Sequence, residues 1–165
     1  MANSKMTEES QITTRRALLI GAAHFAGGVG LVSIVTPAHA TPASMLTAIK
    51  KVVGPAPLRT GKVTIDIPPL VENGNTVPMV VTVESPMTAT NYVKAIYVFN
   101  EKNPQPEVIG VRLGPSAGKA AFSTRIKLAD SQKIMAIAQL SDGTFWSDSI
   151  DVIVTIAACL EEAVP

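Results

Sequence analysis

The sequence predicts an all-β protein: an immunoglobulin-like antiparallel β-sandwich of about seven strands, preceded by a short N-terminal helix. Three observations lead there. Between residues 58 and 156, apolar and polar residues alternate over short runs. Clusters of Gly, Pro, Asn, Asp and Ser separate those runs. Ahead of them, a single stretch from Ala43 to Val53 has helical spacing instead. A barrel is the competing all-β architecture.

The first forty residues read as an address. Thr13-Thr14-Arg15-Arg16 opens an apolar run from Ala17 to Val35, and Thr36-Pro37-Ala38-His39-Ala40 follows. A charged start, an apolar centre and an Ala-x-Ala end are the parts of a secretory signal. The paired Arg15 and Arg16 make it resemble a twin-arginine signal, with cleavage after Ala40 and a periplasmic mature chain. The competing reading is a transmembrane anchor, because the run nearly reaches bilayer length. Gly21, Gly27, Gly28, Gly30 and His24 lower its hydrophobicity.

Residues 41–57 form a helix and a connector. Met45, Leu46, Ile49, Val52 and Val53 share a face opposite Lys50 and Lys51, and Gly54-Pro55 stops the helix. Residues 58–156 form the sandwich. Val63, Ile65 and Ile67 alternate with polar neighbours until Pro68-Pro69. Glu72-Asn73-Gly74-Asn75 reads as a turn, with too few carboxylates for a calcium loop. Val77 to Glu84 is β-branched. Tyr92 to Asn100 places Val93, Ala95, Tyr97 and Phe99 on one face. Lys102 to Pro106 is a loop, since proline cannot donate to a ladder. Glu107 to Leu113, Ala121 to Leu128, Lys133 to Leu140 and Thr144 to Ile156 complete the set. Trp146 is expected to cover one end of the core, and Met79, Met87 and Met135 to pack between the sheets. Residues 157–165 are a C-terminal arm.

Composition narrows the chemistry. The chain has 14 basic and 13 acidic residues and no long basic block. Phosphate binding needs clustered Lys and Arg, so nucleic acid is not an expected partner. Cleavage removes Lys5, Arg15, Arg16, Glu8 and Glu9, and leaves 11 basic against 11 acidic residues. It also removes His24 and His39, both of the histidines. A mature chain without histidine has no Ser-His-Asp or Cys-His arrangement. It has no histidine metal ligand, and one cysteine cannot build a thiolate zinc site. No metal or cofactor is expected, and no membrane contact after signal cleavage.

Cys159 is the one cysteine, just beyond the last strand. It cannot close an internal disulfide, so it is buried, paired with another molecule, or used. Free cysteine is often a buried hydrophobe. Its place near a chain end argues for use. Glu161 and Glu162 follow it and disfavour the thiolate, so autonomous cysteine catalysis is not expected. A thiol presented to another enzyme needs no activator of its own.

Several segments, in order, resemble the SoxY family. They are Ile67 to Pro78 (Ile-Pro-Pro-Leu-Val-Glu-Asn-Gly-Asn-Thr-Val-Pro), Val83 to Thr88 and Tyr92 to Phe99. Glu101 to Pro104, Ser123 to Leu128 and Ser141 to Trp146 continue the series. The resemblance implies an immunoglobulin-like sulfur carrier of periplasmic thiosulfate oxidation that pairs with a SoxZ subunit. It implies a C-terminal cysteine that carries sulfur through the active sites of transient partners: a c-type cytochrome, a dimanganese sulfate hydrolase and a sulfane dehydrogenase. Cys159 matches the carrier thiol. The family arm reads Gly-Gly-Cys-Gly-Gly, whereas here Ala157, Ala158, Leu160 and Glu161 flank the cysteine. Side chains at those positions stiffen an arm and enlarge it. The alternative is therefore a non-carrier structural or binding subunit that still docks a SoxZ-like partner.

Overall fold

The computed structural model describes residues 41–158, which form one helix, a single 3-10 turn and nine strands. Helix α1 is Pro42–Val53. Thr41 caps it: its hydroxyl accepts from the Ser44 N–H, and the Ser44 hydroxyl accepts from the Thr41 N–H. Pro42 suits the first turn, where no amide partner exists. Lys50 and Lys51 lie in the last turn, where cations complement the helix dipole. Gly54 ends the helix with φ of 64°.

The strands are β1 Leu58–Thr60, β2 Val63–Asp66, β3 Leu70–Asn73, β4 Val77–Val83, β5 Val93–Asn100, β6 Glu107–Arg112, β7 Ala121–Ile126, β8 Gln132–Leu140 and β9 Phe145–Ile156. They make two sheets. The larger runs β1-β9-β8-β5-β6, with β3 also on β9, and the smaller runs β2-β4-β7. The main core lies between them and includes Val63, Met79, Val81, Ile96, Val98, Ile134 and Val152. The architecture is the expected immunoglobulin-like sandwich.

Two short strands, β1 and β3, escape the sequence reading, and both run parallel to β9. The sandwich is therefore not wholly antiparallel. β1 is exposed throughout and β3 buries only Val71, so neither strand shows a readable period. Gly61, at φ of 100°, turns the chain from β1 in one sheet to β2 in the other, and Pro68-Pro69 precedes its return as β3. The Asp148 carboxylate on β9 accepts the Ile65 N–H of β2 at 3.0 Å and ties the sheets together.

A second cluster corrects three expectations. Met45, Ile49 and Val53 of α1 pack on Phe99, Ile137 and Phe145. The large sheet is thus covered on both faces. Strand β5 is irregular between Val93 and Ala95, which shifts its alternation. Val93, Ile96 and Val98 face the smaller sheet, while Tyr97 and Phe99 face the helix. Val93 does not share their face as the simple period predicts. Met79 and Met87 do pack between the sheets, but Met135 packs on the helix side. Leu46 is 57% exposed, outside the helix face it was expected to join.

At the β8–β9 hairpin, Gly143 takes φ of 83°. The Thr144 N–H and hydroxyl both donate to Asp142, at 2.9 and 2.7 Å, and the Trp146 indole N–H donates to the Thr144 hydroxyl. The Thr144 N–H, followed by its hydroxyl, holds the Asp142 carboxyl below the usual carboxylate range. Trp146 packs against the main core, with Arg59 and Lys62 over its ring.

Candidate functional site

The candidate site is the root from which the cysteine arm leaves the sandwich. Strand β9 carries the chain toward it. At first β9 is held by β8, down to the pair Gln132 and Val152. Beyond that pair a side chain takes over. The Ser131 hydroxyl accepts from the Val154 N–H at 2.9 Å and donates to the Val154 carbonyl at 3.4 Å. Strand β3 pairs with these last residues, from Leu70 with Ile153 to Asn73 with Ile156, and Ile153 N–H donates to the Pro69 carbonyl.

Asp130 helps to place Ser131. Its carboxylate accepts the Ser131 N–H and an ion pair from Lys102 at 2.7 Å. The Lys102 ammonium, followed by that amide, holds the Asp130 carboxyl below its ordinary range. The pair is exposed, so water screens it and its contribution to stability is small.

The root itself is a junction of three backbone segments. Gly74 N–H donates to the Ile156 carbonyl at 2.8 Å. Leu128 N–H donates to the Gly74 carbonyl at 2.8 Å, and Ala158 N–H donates to the Leu128 carbonyl at 2.9 Å. Gly74 is needed here for space. A Cβ at Gly74 would fall on the Leu128 carbonyl oxygen, 2.9 Å from the Ala158 nitrogen and 3.1 Å from Val154 Cγ1. The Asn73 side chain fixes the same turn by accepting from the Asn75 backbone and side-chain amides. Leu128 has no exposed surface, so the junction rests on the main core.

Of the residues singled out in the arm, Ala157 and Ala158 are placed. Ala157 is exposed, and Ala158 is half-buried and hydrogen-bonded. Cys159, Leu160, Glu161 and Glu162 lie outside the described residues, as do Arg15 and Arg16 of the leader. Sequence reasoning marked Asn73-Gly74-Asn75 as a turn. It did not find that Gly74, Leu128 and Ser131 meet the arm root. The available signal was a glycine inside a turn, which does not reveal a close approach between distant segments.

Among the described residues, no group of three or more His, Cys, Asp or Glu side chains is gathered as metal ligands. No helix among them is long and apolar enough to cross a membrane. The arrangement's chemistry is anchorage: it fixes the backbone immediately before a thiol.

A family model described as sulfur oxidation protein SoxY matches residues 49–159, and the match ends on the cysteine. Among solved structures, the sulfur carrier protein SoxY from Chlorobium limicola f thiosulfatophilum is 28% identical, with a TM-score of 0.58. The match covers 69% of this chain and 99% of that one. A superoxide reductase (neelaredoxin) from Ignicoccus hospitalis is 20% identical, with a TM-score of 0.52 and coverage of 70% and 94%. A variant of that reductase is 16% identical, with a TM-score of 0.53 and coverage of 59% and 94%. These two show a shared fold alone. No curated protein matches the chain.

Proposed function

The chain belongs to the SoxY family of sulfur oxidation proteins, and from that premise we propose that it is a periplasmic covalent sulfur carrier whose thiol is Cys159. The observation that carries the proposal is the family match, which runs to Cys159 and includes the whole anchored root. The protein is a platform and not a catalyst. It docks a SoxZ-like subunit, and partner enzymes act on the thiol.

The chemistry balances with those partners. The Cys159 thiolate and thiosulfate form a new S–S bond, giving a cysteine S-thiosulfonate, and two electrons pass to a c-type cytochrome. Water then cleaves the terminal S–S bond. Sulfate and two protons leave, and a persulfide stays on Cys159. A dimanganese hydrolase supplies the activated water for that step, and a sulfane dehydrogenase oxidises the persulfide sulfur further. The paired Arg15 and Arg16 ahead of an apolar run support twin-arginine export and, with it, a periplasmic cycle.

One observation favours a second reading, the non-carrier subunit that docks a SoxZ-like partner. Ala157, Ala158, Leu160 and Glu161 stand where glycines would leave an arm slender. Intact mass of the mature protein, taken from cells oxidising thiosulfate before and after reductant, separates the two. A reductant-labile mass on the Cys159 peptide is expected, with loss of turnover in Cys159→Ser and retention of the partner complex. Full turnover in Cys159→Ser would refute the carrier.

A further inference from the structure

We propose that Asn103 is a positioning residue for the root of the cysteine arm, and through it for the thiol. The inference rests on the reading of Cys159 as the carrier thiol. Asn103 lies in the loop after β5, distant in sequence from the arm. Its side-chain N–H donates to the Lys127 carbonyl at 2.8 Å, and its side-chain oxygen accepts the Ala129 N–H at 3.0 Å. These two groups bracket Leu128. The N–H and carbonyl of Leu128 point to Gly74 and Ala158 instead. Strand β7 ends at Ile126, so residues 127–129 have no strand ladder to hold them. They form a bridge: one edge bonds Asn103 and the other bonds the arm root. Where the N–H and C=O of one residue share an edge and those of its neighbours point to the other, Leu128 faces the arm root while Lys127 and Ala129 face Asn103.

Asn103 is itself held firmly. Its N–H donates to the Asn100 side-chain oxygen at 3.1 Å. Its side-chain oxygen also accepts from the Gln132 side-chain amide at 2.9 Å. Gln132 is buried, and its own oxygen accepts the Lys102 N–H at 2.8 Å. Asn100 is fully buried, and its side-chain N–H group has no hydrogen-bond partner among the described residues. The loop thus sets a half-buried amide, backed by the buried Asn100 and Gln132, against residues 127–129. A covering loop with no such task could be apolar. Positioning has a plain use for a carrier: an arm rooted at a fixed point loses less freedom when it enters a partner.

The test uses the intact mature chain. Native-state amide exchange by NMR reads the Ala158 N–H. In Asn103→Ala that amide should exchange about 5- to 30-fold faster, as expected for one or two lost hydrogen bonds. Amides of β5 and β8 should keep their rates. The one cysteine accepts a unique nitroxide label, whose spectrum reads motion at Cys159. Asn103→Ala and Ala158→Pro, which removes the donor, should each mobilise the label, and the double variant should add nothing to the larger single effect. If Asn103→Ala does not fold, Asn103→Asp keeps the acceptor and loses the donor to Lys127, and should show a smaller rise at Ala158. With partner proteins present, Asn103→Ala should raise the carrier concentration for half-maximal sulfur loading about five-fold at unchanged maximal rate. An unchanged Ala158 amide, a uniform rise across the sandwich, additive label effects or unchanged half-saturation would each overturn the proposal. Absence of any adduct on wild-type Cys159 is a separate result that refutes the carrier reading; the exchange and label measurements do not depend on it.

Discussion

Replacing Gly74 by Ala should be among the most costly small changes this protein can receive. The turn does not use a left-handed backbone at Gly74, so the cost comes from space alone. The new methyl would meet the Leu128 carbonyl oxygen, the Ala158 nitrogen and Val154 Cγ1. Two of these are backbone atoms and cannot swing aside as a side-chain end can. Relieving such overpacking costs about 1–3 kcal/mol. The shift also strains the hydrogen bonds from Leu128 to Gly74 and from Ala158 to Leu128, each with a net contribution of about 1 kcal/mol. The lower entropy of an unfolded alanine returns about 0.4–1 kcal/mol. The expected net loss is about 2–4 kcal/mol. Urea unfolding of the mature chain should show a lower midpoint at an unchanged slope. Gly114→Ala is the control: its φ is −129°, and among the described residues beyond its chain neighbours an added Cβ would meet nothing nearer than the Ser116 hydroxyl, at 4.0 Å. It should lie within about 0.5 kcal/mol of wild type. If Gly74→Ala is as stable as that control, the reasoning from close approach is wrong.

Asp130 and Asp142 both have carboxyls held below their ordinary value of 3.8. A depressed folded value means stability that is present above 3.8 and lost as the pH falls through the folded values. The urea midpoint should therefore decline below that pH, and less steeply in Asp142→Asn; an identical acid limb would count against the Thr144 contacts as its cause. Ile49→Ala should cost about 2–3 kcal/mol by opening a cavity between α1 and Phe99, Ile137 and Phe145. A loss under about 0.5 kcal/mol would mean that the helix contributes little to the cooperative fold. Replacing Glu161 and Glu162 by Gln should speed reaction of Cys159 with an anionic disulfide relative to a neutral one, by about two-fold per charge if each acts from about 8 Å in water. High salt should erase the difference, and a salt-independent change would point to bulk or conformation instead.

The seven strands read from sequence were legible from runs of apolar and β-branched residues between turn signals, and most plainly where burial alternates, as in β2 and β4. Strand β2 is the clearest case: Val63 and Ile65 are buried, and Thr64 and Asp66 are exposed. Strand β5 was legible as a strand but not in its facing, because its irregularity shifts the register after Val93. Strands β1 and β3 were not legible. Leu58, Arg59 and Thr60 are all exposed and carry no pattern, and their pairing depends on where β9 happens to pass. The helix was legible from its spacing, yet Leu46 shows that a helical stripe drawn from sequence is wider than the contact it makes.

The arm root was the least legible part, for a related reason. Its bonds join residues 74, 103, 128 and 158 through backbone groups and one side-chain amide. Backbone donors and acceptors look alike at every position, so sequence says nothing about which of them meet. What sequence did mark was the chemical end of the system, a lone cysteine, and the segments around these four positions that resemble one family. The structure adds a division of labour along the chain. Up to Ala158 the backbone is committed to hydrogen bonds with the sandwich, and the very next residue is the thiol. Glycine's freedom is therefore of less use at Ala158, whose amide is already engaged. On the proposed carrier reading, Leu160 and Glu161 are the substitutions that lie beyond that anchored backbone. Variants on the far side of Cys159 are therefore the ones that best separate the carrier reading from the non-carrier one.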